Sequence, residues 1–275
     1  MSSLYVLTDQ FWNREGDPRV RDFMLFTGGP TPMLLVMLAY LLIVKLIGPA
    51  VMNYRRPYEL RNVMLVYNIL MVAVNAYFLY EFMIVINFGT RLLELNAPDH
   101  NDWSPYTLSS IRVVYLYYLT KFVDLLDTIF FVMRKKYSQI TVLHLYHHFS
   151  VPVLGWIVMK VEPLVPAILL FCILNTTVHV IMYSYYALAA FGPNIQKYLW
   201  WKRYITQIQL IQFVILLVYC SLTLPFYRGY RPVYLWLGGS QPPIFLVLFL
   251  NFYFRSYNKC RPVKACDKHM TDITK

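Results

Sequence analysis

Three histidines, His144, His147 and His148, stand in the string HLYHH at i, i+3 and i+4. On a helix that spacing puts all three on one side. A buried neutral imidazole is a nucleophile or general base near neutral pH. Three further strings carry groups that could work with it. KFVDLLDT, residues 121–128, places Lys121, Asp124 and Thr128 at i, i+3 and i+7, with Asp127 beside them. NTTVHVIMYSYY, residues 175–186, aligns Asn175, His179 and Tyr186 along one stripe, joined by Met182 or Tyr183. TQIQLIQ, residues 206–212, spaces Thr206, Gln209 and Gln212 by three. A carboxylate such as Asp124 or Asp127 can fix the tautomer of an imidazole and stabilise its protonated form, as in a nucleophile–base–acid triad.

The elements that must hold these groups are membrane helices. Of 275 residues, 58% are hydrophobic and 14% charged, more apolar side chain than a soluble domain of this length covers. The apolar residues form seven blocks, about 30–52, 62–89, 108–133, 139–160, 164–190, 204–225 and 233–254, each near the roughly 20 residues that span a bilayer. The last is interrupted by Gly238, Gly239, Pro242 and Pro243. The expectation is an all-α integral membrane protein of seven transmembrane helices. One domain, 30–254, lies between an N-terminal segment, 1–29, and a basic tail, 255–275. The first 29 residues lack the apolar core of a cleavable signal peptide, so the first membrane helix is expected to direct insertion.

A net charge of +11 raises the question of nucleic acid, but its distribution answers otherwise. Taken alternately, the inter-helix segments hold 7 Lys/Arg on one side and 15 on the other. The richer set belongs in the cytosol, which puts the N-terminus in the lumen and the C-terminus in the cytosol, as an odd helix count requires. Cys172 and Cys220 fall within apolar blocks and Cys260 and Cys266 in the tail, so no disulfide framework is implied.

Ionisable groups inside a membrane helix cost about 2.5–3.5 kcal/mol each on insertion scales and mark function. Counted from the cytosolic end of its own block, Asp127 is six residues in, His147 eight, His179 eleven and Gln209 five. At 1.5 Å per residue all lie roughly 8–17 Å below that face. Four helices therefore present polar groups at one level, the expected site of a shared catalytic cavity open to the cytosol. Polar residues also join helices structurally, at about 0.6 kcal/mol per hydrogen bond, and for Gln212 or Asn175 taken alone the two readings are even.

HxxHH resembles the histidine boxes of membrane di-iron desaturases and hydroxylases. Such sites use about eight histidines. This chain has six, and His100 and His269 fall outside the blocks. Metal-dependent acyl desaturation or hydroxylation is the alternative to metal-free acyl chemistry. A proton-coupled transporter using Asp124, Asp127 and the histidines, or a seven-helix receptor, are the non-enzymatic readings.

The four strings, in this order on consecutive helices, resemble the very-long-chain fatty acid elongases, the membrane 3-ketoacyl-CoA synthases, whose motifs are KxxExxDT, HxxHH, NxxxHxxMYxYY and TxxQxxQ. The loop NYRRPYELR, residues 53–61, resembles that family's first cytosolic loop. Asp124 stands where the family usually has Glu, and no dilysine retrieval signal closes the chain. The resemblance implies condensation of acyl-CoA with malonyl-CoA in the endoplasmic reticulum membrane, without bound metal or cofactor. On that chemistry His147 is expected as nucleophile, with His144 or His148 as base or orienting group. His179 and Asn175 would stabilise the developing enolate, and Lys121, Lys202 and Arg203 would meet CoA phosphates and polar groups. Tyr183, Tyr186, Gln209 and Gln212 would line the substrate pocket, and the acyl tail would run between helices toward the lumen. Partners implied are membrane lipid and the ketoacyl reductase, dehydratase and enoyl reductase of the elongation cycle, with a second copy of the chain as a further candidate.

Overall fold

A chain in hydrocarbon must satisfy its own backbone, so apolar blocks become helices. In the computed structural model, which describes residues 8–257, the helices that matter here are ten. They are α1 (Asp9–Glu15), α2 (Thr31–Asn53), α3 (Arg61–Val85), α4 (Pro105–Val123), α5 (Leu126–Met133), α6 (Val142–Val161), α7 (Pro166–Ala190), α8 (Lys202–Thr223), α9 (Pro232–Gly239) and α10 (Gln241–Tyr257). Among the described residues, extended backbone pairs only at an isolated bridge between Asn96 and Arg228. Six spans are long and apolar enough to cross a membrane: α2, α3, α6, α7, α8 with its following turn to Phe226, and α9 continued by α10. This is a multi-pass membrane protein. Leu35, Leu46, Val66, Leu70 and Val247 turn outward, as lipid-facing side chains do.

The third apolar block differs from the expectation of one continuous helix over 108–133. The helix breaks at Asp124 and Leu125. There Asp127 N–H bonds to Asp124 O at 3.2 Å and Thr128 N–H to Leu125 O at 3.1 Å, an i→i+3 pattern. Such a turn advances about 120° per residue instead of 100°. Thr128 therefore leaves the face shared by Lys121 and Asp124, and KFVDLLDT serves two sites instead of one. The last block is divided at Ser240 but continues as α10 to Tyr257, three residues past its expected end at 254. The rest of the tail lies outside the described residues. The N-terminal segment, from residue 8 onward, packs into the main core through Trp12, Val20 and Phe26.

That core is aromatic at one end. Trp12 meets Trp156 edge-on at 4.8 Å and Phe26 stacks on Trp156 at 5.8 Å. Each such pair contributes about 0.5–1.5 kcal/mol beyond burial. Trp156 Nε1 donates to Leu25 O at 2.7 Å, and the buried Lys160 ammonium donates to Phe26 O at 2.5 Å. Arg19, itself buried, pairs with Asp17 at 2.6 Å and reaches the carbonyls of Asp99 and Asp102. Arg231 extends from the start of α9 to Glu15, donating to its carbonyl at 3.0 Å and to its carboxylate. The N-terminal segment thus closes this end of the helices.

Elsewhere α3 packs along α7, α8 against both α7 and α10, and α4 against α6. The first membrane helix, α2, lies on α5 and α6. Gly48 permits this: a Cβ there would stand 2.7 Å from Val132 Cγ1 on α5. Small residues of this kind let membrane helices approach closely.

Candidate active site

Helix α6 begins where it does because Thr141 caps it, accepting the His144 N–H at 3.2 Å. HLYHH therefore occupies the first two turns of α6. Pro152 sits four residues after His148 and lacks the N–H that would bond the His148 carbonyl, loosening the helix just past the motif. The rings lie close together, with His144 and His148 centroids 4.2 Å apart and His147 and His148 5.4 Å apart.

All three histidines line one cavity of about 870 Å³. Asp127, Asn175, His179, Tyr186, Gln209, Gln212 and Lys202 line it too. The polar groups that the sequence places at one depth on four helices thus meet in space. Arg203, Tyr183, Lys121 and Asp124 are not in its wall. Lys121 and Asp124 are buried behind it, and Arg203 is exposed. Arg61 and Arg134 join the wall, and the sequence reading did not single them out. Both sit in basic loops, counted for topology rather than for binding. Arg61 is committed elsewhere, donating to the carbonyls of Ala190 and Phe191 at the end of α7. The Arg134 guanidinium lies 3.2 Å from the Met64 sulfur.

Behind the wall lies a charge network. Lys121 Nζ is 2.9 Å from Asp124 Oδ2 and 3.4 Å from Asn175 Oδ1, and it stands over the Tyr117 ring at 4.4 Å. Tyr117 donates to the same Asn175 oxygen at 2.7 Å. Tyr183 donates to Asp127 Oδ2 at 2.8 Å and lies 3.3 Å from Asp124 Oδ1. His179 Nδ1 is 3.9 Å from Asp124 Oδ2. A lysine in this position is a structural and electrostatic partner inside the protein, apart from Arg134 and Lys202, which line the polar cavity.

Two imidazole nitrogens are left over. His147 Nδ1 and His179 Nδ1 are buried without a hydrogen-bond partner, as is Gln212 Oε1. Buried polar atoms are nearly always paired, and each exception needs an explanation; Asn68 Nδ2, Tyr118 Oη and Ser150 Oγ are unpartnered as well. His144 is different, because its Nε2 is 2.8 Å from Thr128 Oγ1. Among the described residues, no three His, Cys, Asp or Glu side chains converge as a metal site would require.

A second cavity of about 150 Å³, largely apolar, begins at Lys121 and Cys172 and ends at Glu162, Arg231 and Tyr234. Phe245 lines it and stands against His147. A polar chamber and an apolar one therefore adjoin at the histidine motif.

Residues 25–265 match the ELO description, the GNS1/SUR4 family. The chain belongs to the GNS1/SUR4 family. It is 39% identical over 254 residues to very long chain fatty acid elongase 7 of Rattus norvegicus, covering 90% of this chain and 88% of that protein. It is 41% identical over 252 residues to very long chain fatty acid elongase 7 of Drosophila melanogaster, covering 90% and 74%. With very long chain fatty acid elongase 1 of Homo sapiens the identity is 39% over 251 residues, covering 90% and 88%. The GNS1/SUR4 match spans both cavities and all four motifs, and it starts at Leu25, inside the segment that closes the aromatic end of the core.

Proposed function

We propose that this chain is a very-long-chain fatty acid elongase of the endoplasmic reticulum membrane, condensing acyl-CoA with malonyl-CoA to 3-ketoacyl-CoA, CO₂ and CoA. The observation that carries the reading is the meeting of a polar histidine-lined cavity with an apolar one at His147, within a chain of the GNS1/SUR4 family. The acyl tail takes the apolar cavity and the CoA moiety the polar one, with Lys202 and Arg134 meeting phosphates at its mouth. In the first half-reaction a His147 nitrogen attacks the thioester carbonyl, the C–S bond breaks, and CoA leaves as the acyl-imidazole forms. Malonyl-CoA then loses CO₂, and the resulting enolate attacks the acyl carbon. The C–N bond breaks and His147 is restored. Asn175 and His179, opposite on α7, stabilise the developing oxyanion. Asp124 holds Lys121 beside Asn175 and stands behind His179.

The broken helix α4–α5 completes a seventh crossing, which puts the N-terminus in the lumen and the end of α10 in the cytosol. The polar cavity then opens to the cytosol, where both CoA substrates arise. The product passes to the reductase, dehydratase and enoyl reductase that complete a two-carbon extension.

The test is product analysis. Purified protein given malonyl-CoA and a long-chain acyl-CoA, without nicotinamide, oxygen or added metal, yields the 3-ketoacyl-CoA two carbons longer. A requirement for iron and oxygen, or a desaturated or hydroxylated product, overturns the reading.

A further inference from the structure

His144 is held by a chain of hydroxyls that starts on the first membrane helix. Tyr40 Oη on α2 is 2.9 Å from Thr128 Oγ1, and Thr128 Oγ1 is 2.8 Å from His144 Nε2. Tyr40 and Thr128 are both buried, Thr128 completely so. The helix break at Asp124 and Leu125 turns Thr128 toward α2, and Gly48 lets α2 lie close enough for Tyr40 to reach it. Phe131 flanks the His144 ring at 5.3 Å and His148 at 4.2 Å, so the imidazole is fixed on several sides.

The order of the hydrogens follows from counting donors. Each hydroxyl has one hydrogen to give, and a neutral imidazole has one N–H and one lone pair. If His144 Nε2 carried the proton, it would donate to Thr128, and Thr128 would donate to Tyr40. The phenol hydrogen would then be buried with no acceptor, since Thr128 is the one partner of Tyr40 among the described residues. In the reverse order Tyr40 donates to Thr128, Thr128 donates to Nε2, and the one hydrogen left over is the Nδ1–H of His144, a residue that lines the polar cavity. Orphaned buried donors are rare, so the second order is favoured.

We infer that Tyr40 and Thr128 are positioning residues that fix His144 as the tautomer protonated on Nδ1, so that His144 serves the site as an N–H donor and not as its base. The inference rests on the reading of HLYHH as the condensing motif. The lone pair of His144 is engaged by Thr128, while the unpartnered nitrogens of His147 and His179 remain for bond formation and proton transfer. The first membrane helix, which contributes no residue to either cavity wall, thereby reaches the chemistry through two hydroxyls.

The experiment is ¹⁵N NMR of histidine-labelled full-length protein in nanodiscs, with His144 assigned by its loss in His144→Gln. Wild type shows His144 protonated on Nδ1. Thr128→Val removes the hydroxyl at nearly constant shape, releases the tautomer, and lowers kcat by roughly one order of magnitude with KM for malonyl-CoA unchanged. Tyr40→Phe acts in the same direction more weakly, and Thr128→Ser restores both readouts. An Nε2-protonated His144 in wild type overturns the inference, as does a Thr128→Val protein with wild-type tautomer and kcat. If Thr128→Val fails to fold, Tyr40→Phe and Thr128→Ser decide by the same two readouts. A wild-type protein that makes no 3-ketoacyl-CoA sinks the elongase reading instead, and the tautomer still judges the hydroxyl chain.

Discussion

His147 meets Phe245 edge-on, with ring centroids 5.5 Å apart, and the two residues line different cavities. The imidazole belongs to the polar chamber and the phenyl to the apolar one. A thioester has the same division, with a polar CoA on one side of its carbonyl and an alkyl chain on the other. In the proposed reaction His147 stands where these two divisions coincide, the level expected for the reacting carbonyl of an acyl-CoA.

Removal of His147 tests this placement. His147→Ala is expected to abolish condensation, by about 10³-fold or more, while the protein still folds, because the covalent route is lost. Incubation of wild type with acyl-CoA alone releases one equivalent of CoA and adds the acyl mass to the His147 peptide; malonyl-CoA then discharges it. A normal burst from His147→Ala excludes it as nucleophile.

The Lys121–Asp124 pair predicts a contrast between breaking a buried ion pair and replacing it. Asp124→Asn leaves the Lys121 ammonium uncompensated at a site where both partners are about 5% exposed, and destabilises by about 3–5 kcal/mol. Replacing both with apolar residues, Lys121→Met with Asp124→Leu, recovers most of the thermal stability but not the activity. Asp124→Glu retains the charge and both properties. Thermal unfolding in detergent and turnover of the same preparations check the three outcomes; equal stability of Asp124→Asn and wild type contradicts them.

His100 supplies a pH dependence outside the membrane spans. Its Nε2 is 3.4 Å from the buried Glu162 carboxylate, and that hydrogen bond raises its pKa above the usual histidine value. A pKa raised by folding contributes stability that is fully present below the unfolded value, about 6.5, and is lost as pH rises through the folded one. The melting temperature is expected to decline gently across that window, and His100→Gln to flatten the slope. Because His100 is about one-third exposed, the effect is small. An unchanged slope in His100→Gln assigns it to other groups.

Topology is tested by single cysteines placed in a Cys260→Ser, Cys266→Ser background. Arg55→Cys, in the loop after α2, is expected to react with a membrane-impermeant maleimide from the cytosolic side. Asn101→Cys is expected to react only from the lumenal side. The opposite pattern reverses the proposed orientation.

The cavity was legible in the sequence because its residues violate the rule of the helices that hold them. A single glutamine in an apolar block can simply join two helices, but histidines, aspartates and glutamines at equal depth on four helices point to one shared cavity. The division at Asp124 was not legible, since neither proline nor glycine marks it and an i→i+3 turn leaves no trace in apolar spacing. Tyr40 was hidden for a related reason. It is one of 24 tyrosines, in a helix with no other polar partner for Thr128, and only the packing of α2 on α5 makes it special. Trp12 and Phe26 lie in a segment whose composition is polar, so their burial follows from tertiary fit and not from pattern.

The contact between Arg231 and Glu15 joins positions 216 residues apart. Glu15 leaves the ribosome early and Arg231 among the last elements to be made. During synthesis the aromatic end of the bundle therefore stays unsealed until α9 has been inserted, with Trp12 and Phe26 awaiting their lock. Arrival of Arg231 at the start of α9, rather than insertion of an earlier helix, is the event that shuts this end of the protein. A nascent protein halted before residue 231 would be left with that door still open.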